Sequence, residues 1–248
     1  MIDFATLRKV ARTKGITNLG FVEKDYFQDI LLLAVSRETP HLVFKGGTAL
    51  YKFHGLDRFS EDMDFVGRVS RWEIARLARY VEDFGYPVET TVKEVTDGAL
   101  ATFAIKAFLY QGTRESMSRI RMDAVWKHEG KPATEWRTHF PMYSDIPSFR
   151  VQVMTVEEIF AEKVRALLVR SKSRDAYDAW FLLSKGIRLD SATLEKKLMP
   201  YNMELDRKTL ERALEGISKR WKAEIGPMLV HLPEFREVST RLMSALVP

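Results

Sequence analysis

The chain has 248 residues, 46% of them hydrophobic, with 39 basic against 34 acidic side chains and a net charge of +5. That size accommodates one large domain or two small ones, and the apolar share excludes global disorder. The absence of cysteine excludes disulfides, thiolate metal sites and thiol catalysis. Residues 5–40 then read as helical, dense in apolar side chains from Val22 to Val35 and closed by Pro40. Leu42–Phe44 reads as a short strand, Gly46-Gly47 as a turn, Thr48–Phe53 as a short helix and Asp62–Val66 as a second strand. Ser70 has the character of an N-cap for a helix over Trp72–Phe84.

The middle is rich in strand signals. Val88–Val95 and Leu100–Tyr110 flank Asp97-Gly98, a hairpin-turn dipeptide. Arg119–Val125 alternates, with Ile120, Met122 and Ala124 on one face and Arg119, Arg121, Asp123 and Val125 on the other. Thr155-x-x-Glu158 reads as a capping box opening a helix over Val156–Arg170. A second helix begins near Arg174, and residues 187–248 hold two or three more, with breaks near Pro200 and Gly226-Pro227. A soft boundary near residue 150 therefore separates a mixed α/β half, 1–150, from an all-helical half, 151–248. No apolar stretch approaches the roughly 18 residues of a membrane span. The start, Met1-Ile2-Asp3-Phe4, lacks a signal-peptide layout, so the expected location is the cytoplasm. The positive balance permits a polyanionic partner without requiring one.

The chemistry concentrates in Lys45-Gly46-Gly47-Thr48 and Arg58-Phe59-Ser60-Glu61-Asp62-Met63-Asp64-Phe65. On a strand Asp62 and Asp64 point the same way, and two carboxylates side by side repel unless a cation lies between them. A divalent metal resolves that conflict. The glycines allow a tight turn and open a short helix whose free N–H groups can hold phosphate. An EF-hand reading fails, because Asp62-Met63-Asp64-Phe65-Val66-Gly67 lacks the third oxygen ligand. Lys45 and Arg58 flank the motif and could touch phosphates; Lys45 could equally face solvent. Ser60 has no histidine partner nearby in sequence and does not read as a nucleophile. Asp123 is the acid of its strand, either a third metal ligand or the partner of Arg119 or Arg121; Asp97, in a turn, is a weaker rival. Lys163 falls on the apolar face of its helix and needs an anionic partner. Arg165, Arg170, Lys172 and Arg174 form either a solvated helix end or a surface for RNA phosphates.

Three ordered motifs carry a resemblance: Phe44–Leu50, Arg58–Phe65, and Glu162-Lys163-Val164-Arg165-Ala166-Leu167 with Arg174-Asp175-Ala176-Tyr177-Asp178. Over roughly residues 20–185 the chain resembles the AbiEii/AbiGii toxins, which belong with the mycobacterial MenT toxins to the DNA-polymerase-β-like nucleotidyltransferases. The resemblance implies an α+β fold, a polymerase-β-like mixed sheet with helices followed by an all-helical C-terminal part that completes the active site. It implies catalytic Asp62, Asp64, Asp123, Lys163 and Asp178, with Asp62, Asp64 and Asp123 as ligands of two Mg²⁺ (or Mn²⁺). Lys45, Gly46, Gly47, Thr48, Arg58 and Lys163 would bind the nucleotide, the Thr48 hydroxyl and Lys163 on the phosphates, with Asp178 orienting Lys163 or the base. The implied reaction transfers NMP from an NTP to an RNA, foremost a tRNA 3′ end, by a toxin paired with an antitoxin encoded nearby. The same residues leave open transfer to a protein Ser, Thr or Tyr. A non-catalytic nucleic-acid-binding regulator is a third reading, but it leaves the three aspartates without a purpose.

Overall fold

The computed structural model describes residues 2–126 and 131–247. They form two compact units. The first comprises 2–55, 59–126 and 134–154; the second comprises 56–58, 131–133 and 155–247.

In the first unit α1 (Phe4–Lys14) is capped by the Asp3 carboxylate, which accepts from the Thr6 N–H at 2.7 Å. Gly15, at φ 66°, ends it. The Asn18 side chain then opens α2 (Leu19–Glu38). The single helical stretch expected over 5–40 is thus two helices, because a left-handed glycine stops one and an asparagine starts the next. β1 (Val43–Lys45), α3 (Gly46–Phe53) and β2 (Met63–Val66) follow, then α4 (Arg71–Asp83), where Ser70 and Glu73 make a complete capping box. β3 (Val88–Val95), β4 (Gly98–Ile105), β5 (Ser118–Val125), β6 (Thr134–His139) and β7 (Phe149–Met154) complete it. β4 stops at Ile105 rather than Tyr110, since Lys106 donates to the Pro87 carbonyl and a turn closes at Ala107–Tyr110. The pair β6–β7 was not expected from sequence.

Among the described residues the sheet has seven strands in the order β3-β4-β5-β2-β1-β7-β6. It is mixed: β2 runs parallel to β5 and β1 parallel to β7, while the other neighbours are antiparallel. Helices α2 and α4 pack beside each other on one face. Phe44, Met63, Phe65, Phe103, Ile120, Met122 and Ala124 are buried, and strand alternation turns the residues between them to the opposite face.

One buried polar cluster fastens α3 to α2. Asp25 and Asp29 are fully buried on α2, and the Lys52 ammonium from α3 lies 2.6 Å from each. Lys14 reaches Asp25 at 2.5 Å, the Tyr143 hydroxyl donates to it at 2.7 Å, and His139 Nε2 lies 2.8 Å from Asp29. Burial pushes both carboxyls up, but Lys52, with Lys14 and His139, more than offsets this and holds both below the usual range. Burial likewise pulls Lys52 down, and the two carboxylates outweigh it. The part of the stabilisation that Lys52 supplies is therefore present between about pH 4 and about pH 10, and is lost as pH falls through the lowered carboxyl values. Lys52→Met is expected to cost about 3–5 kcal/mol at pH 7 by stranding two buried charges. The deficit should shrink toward pH 4.5 as the stranded carboxyls take up protons. Urea unfolding at the two pH values checks this, and a deficit that grows on acidification contradicts it.

The second unit is helical: α5 (Val156–Arg170), α6 (Ser173–Ser184), α7 (Ser191–Leu198), α8 (Arg207–Ser218), α9 (Trp221–Ile225) and α10 (Phe235–Leu246). Four α-helices, not two or three, follow residue 187 among the described residues. Short 3₁₀ turns at Met199–Tyr201 and Gly226–Met228 carry the two expected proline breaks. Thr155 is the N-cap of α5 but its side chain makes no capping hydrogen bond, so the predicted box is not formed there. Among the described residues no helix is long and apolar enough to cross a membrane.

Candidate active site

Three neighbouring strands bring the motif residues together in the first unit. Lys45 on β1 pairs in register with Asp64 on β2, and Asp64 with Asp123 on β5. Side chains opposite each other on adjacent strands share a face, so Lys45, Asp64 and Asp123 form one row across the sheet. Asp62 and Asp64 are half-buried while the intervening Met63 and the following Phe65 are buried, which is the alternation the sequence predicted. Asp123 is half-buried too, and its carboxyl is raised: burial is the main cause, the charge of Asp62 adds to it, and Lys45 opposes it. Neither Arg119 nor Arg121 is its partner; Arg119 donates instead to the Arg114 carbonyl at 2.7 Å.

Gly46 opens α3 at φ +77°, and a Cβ placed on it would lie 2.3 Å from Asp64 Oδ2. The first residue of the helix is therefore pressed against the Asp64 carboxylate, which suits the positive end of the helix dipole. Gly46→Ala is expected to displace Asp64 and strain the backbone. Any activity that uses the Asp64 carboxylate should fall by at least about tenfold, with a stability loss of about 1–2 kcal/mol from the left-handed conformation alone. Chemical denaturation beside a rate assay reads both, and wild-type behaviour in both contradicts the assignment.

Thr48 is fully buried. Its hydroxyl donates to the Asp62 carbonyl and lies 3.0 Å from Ser60 Oγ, which must then be the donor in that bond. The side chain expected on phosphate thus fixes the backbone of Asp62, and the N–H groups of the helix opening are its parts suited to an anion. Gln28, which sequence reasoning did not single out, is buried on α2 and donates to the Ser60 and Glu61 carbonyls at 2.7 and 2.9 Å. The sequence around it, with Glu23, Lys24, Asp25 and Asp29 on the same helix, offers no signal that sets Gln28 apart. Ser60 is buried among these bonds, as befits a structural residue.

In the second unit Arg58, Lys163, Asp175 and Asp178 form a buried charge cluster. Arg58 grips Asp178 with two bonds of 2.6 Å. Lys163 lies 2.7 Å from Asp178 and 3.4 Å from Asp175, so the anionic partner its apolar setting demanded is Asp178 with Asp175. Burial lowers the pKa of Lys163, yet Asp178 and Asp175 outweigh it and keep the ammonium charged. Asp175 pairs with Arg170 at 2.7 and 2.9 Å. Burial raises its carboxyl, and Lys163 and Arg170 more than reverse that. Of the expected basic cluster, Arg170 is thus tied to Asp175 and Arg165 donates to the Tyr201 hydroxyl at 3.0 Å.

A mixed sheet with an aspartate row at its centre, glycines opening the adjoining helix, and a helical C-terminal part define the chain as a nucleotidyltransferase-fold protein. It belongs to the AbiEii family, the nucleotidyl transferase toxins of type IV toxin–antitoxin systems, which it matches over residues 30–241. MenT4, a nucleotidyltransferase toxin from Mycobacterium tuberculosis, is similar in structure with a TM-score of 0.63 at 17% identity, over 97% of this chain and 88% of that one. JHP933 from Helicobacter pylori gives a TM-score of 0.56 at 16% identity, over 91% and 90% of the two chains. At those identities the likeness concerns the fold. No curated protein sequence matches the chain.

Proposed function

We propose that the protein transfers a nucleoside monophosphate from an NTP to a hydroxyl of RNA, foremost the 3′ end of a tRNA, as the toxin of a pair whose antitoxin is encoded nearby. The observation that carries this reading is the row of Asp64 and Asp123 in register, with Asp62 on the same face and Gly46 against Asp64.

The donor set consists of carboxylate oxygens, which suits Mg²⁺ or Mn²⁺. Burial is the main cause of the raised Asp123 carboxyl, and the charge of Asp62 adds a smaller repulsion that a cation would relieve. Among the described residues no three such side chains are already gathered around one point; Asp62, Asp64 and Asp123 are the residues that would close on the metal. A metal held there would neutralise the charge that builds on the α-phosphate and the leaving pyrophosphate. The remaining work falls to the chain. Gly46 and Gly47 offer backbone N–H groups to the phosphates, Lys45 adds a positive charge beside Asp64, and Thr48 holds Asp62 in place. The acceptor oxygen bonds to the α-phosphorus, the bond to the β-phosphate oxygen breaks, and Asp123 takes the hydroxyl proton. For the helical unit we retain the roles that the resemblance implies: Lys163 as a triphosphate ligand kept charged by Asp178 and Asp175, and Arg58 as an anion-facing cation anchored by Asp178. The reaction belongs in the cytoplasm, where NTP and tRNA meet.

Titration calorimetry with each NTP, with and without Mg²⁺, tests the site. The expected result is saturable binding that requires Mg²⁺ and weakens at least about tenfold in Asp62→Ala. Binding that is independent of both metal and Asp62 would overturn the reading.

A further inference from the structure

The geometry points to the open face of β3–β4–β5 as the track for the acceptor RNA, held through its phosphates and sugars by Arg121 and Lys93 with Thr91 and Thr102. This rests on the transferase reading above and adds the surface that presents the RNA.

The pairing register builds the track. Asp123 is followed across the sheet by Leu100 on β4 and then Lys93 on β3. Two residues back along β5, Arg121 is followed by Thr102 and Thr91. These six side chains share the face of Asp64 and Asp123. Arg121, Leu100, Lys93 and Thr91 are exposed, Leu100 to 40%, although strand positions with apolar or β-branched residues are ordinarily covered. At ordinary strand spacing Arg121 lies about 7 Å from Asp123 along β5, and Lys93 about 10 Å away across two strands. Both are within one or two nucleotides of the acid proposed to take the acceptor proton.

Charge selects the occupant. Among the described residues no carboxylate pairs with Arg121 or Lys93. Glu89, the acid on this face of β3, is paired with Arg114 at 3.2 Å, and Glu94, on the other face, with Arg71 at 2.7 Å. Two unneutralised cations continuous with the aspartate row suit a polyanion that must approach carboxylates. The two threonine hydroxyls can bond sugar or phosphate oxygens. None of the side chains in these two rows is aromatic, so base stacking is absent from them and recognition rests on the backbone rather than on sequence.

Filter binding of deacylated total tRNA across a KCl series tests this on the full-length protein, comparing wild type with Arg121→Ala/Lys93→Ala and with Lys9→Ala on α1 as a charge control. The double variant should bind tRNA about tenfold more weakly, with a log–log salt slope shallower by about 1.4, two single-strand phosphate contacts. Its affinity for MgNTP should match wild type, and Arg121→Lys alone should keep most of the RNA affinity. An unchanged tRNA affinity and slope overturns the track, as does an equal loss in the Lys9 control or a parallel loss of MgNTP affinity. Wild-type protein assayed first with labelled NTP separates the two levels: label on protein, or on nothing, removes the transferase-to-RNA reading itself. Label on RNA with an unaltered double variant removes the track alone.

Discussion

Asp62→Ala combined with Asp64→Ala is expected to abolish transfer, lowering the rate by more than about 10³-fold, while leaving the protein folded. The two carboxylates lie half-buried on one side of β2, and the packing is done by Met63 and Phe65 on the other. Removing them takes no apolar side chain out of the core and removes the charge of Asp62 that opposes Asp123. The melting temperature should therefore stay close to wild type or rise, as expected when a strained functional group is removed. Calorimetry and a transfer assay on the same sample decide it. Loss of both folding and activity would make these aspartates structural, and retention of both would remove them from the chemistry.

Asp178→Ala is expected to act in the opposite way, by destabilising the helical unit. Its carboxylate is the shared partner of Arg58 and Lys163, both buried, and truncation leaves two cations with their main acceptor gone. Breaking such a buried pair costs about 3–5 kcal/mol, which at this chain length lowers the melting temperature on the order of 10 °C. Replacing Arg58, Lys163 and Asp178 together with Met, Met and Leu should restore much of that stability, because no unpaired charge then remains. Thermal melts of the single and triple variants separate the cases. A single variant that melts like wild type would contradict the structural role of Asp178.

The contrast between these variants shows what the sequence carried. The strand–Gly-Gly–helix pattern and the Asp62/Asp64 alternation were legible because period two and left-handed glycine are local properties, and the observed register places Asp123 beside Asp64. The break at Gly15 was legible in principle, since Gly15 and Asn18 are ordinary stop and start residues, but the dense apolar run that follows masked it. β7 alternates clearly in Phe-Arg-Val-Gln-Val-Met, whereas β6 lies at the sheet edge and holds mostly polar side chains, so the pair lacked a signal for its second member. Partner choice was the part that sequence could not specify. That Asp178 serves Arg58 as well as Lys163 is a consequence of packing between segments 120 residues apart, and that Thr48 turns inward to Asp62 depends on how the stretch between them folds back. Gln28 belongs to the same group, a buried amide whose two acceptors lie more than 30 residues away.

Nucleotidyl transfer to RNA at the aspartate row is measured by mixing the purified protein and Mg²⁺ with each α-³²P-labelled NTP in turn and total RNA, beside the Asp62→Ala variant. Label is expected on a tRNA-sized band with at least one nucleotide and is expected to be absent in the variant. Label that persists in Asp62→Ala, or that appears on protein and never on RNA, would contradict it.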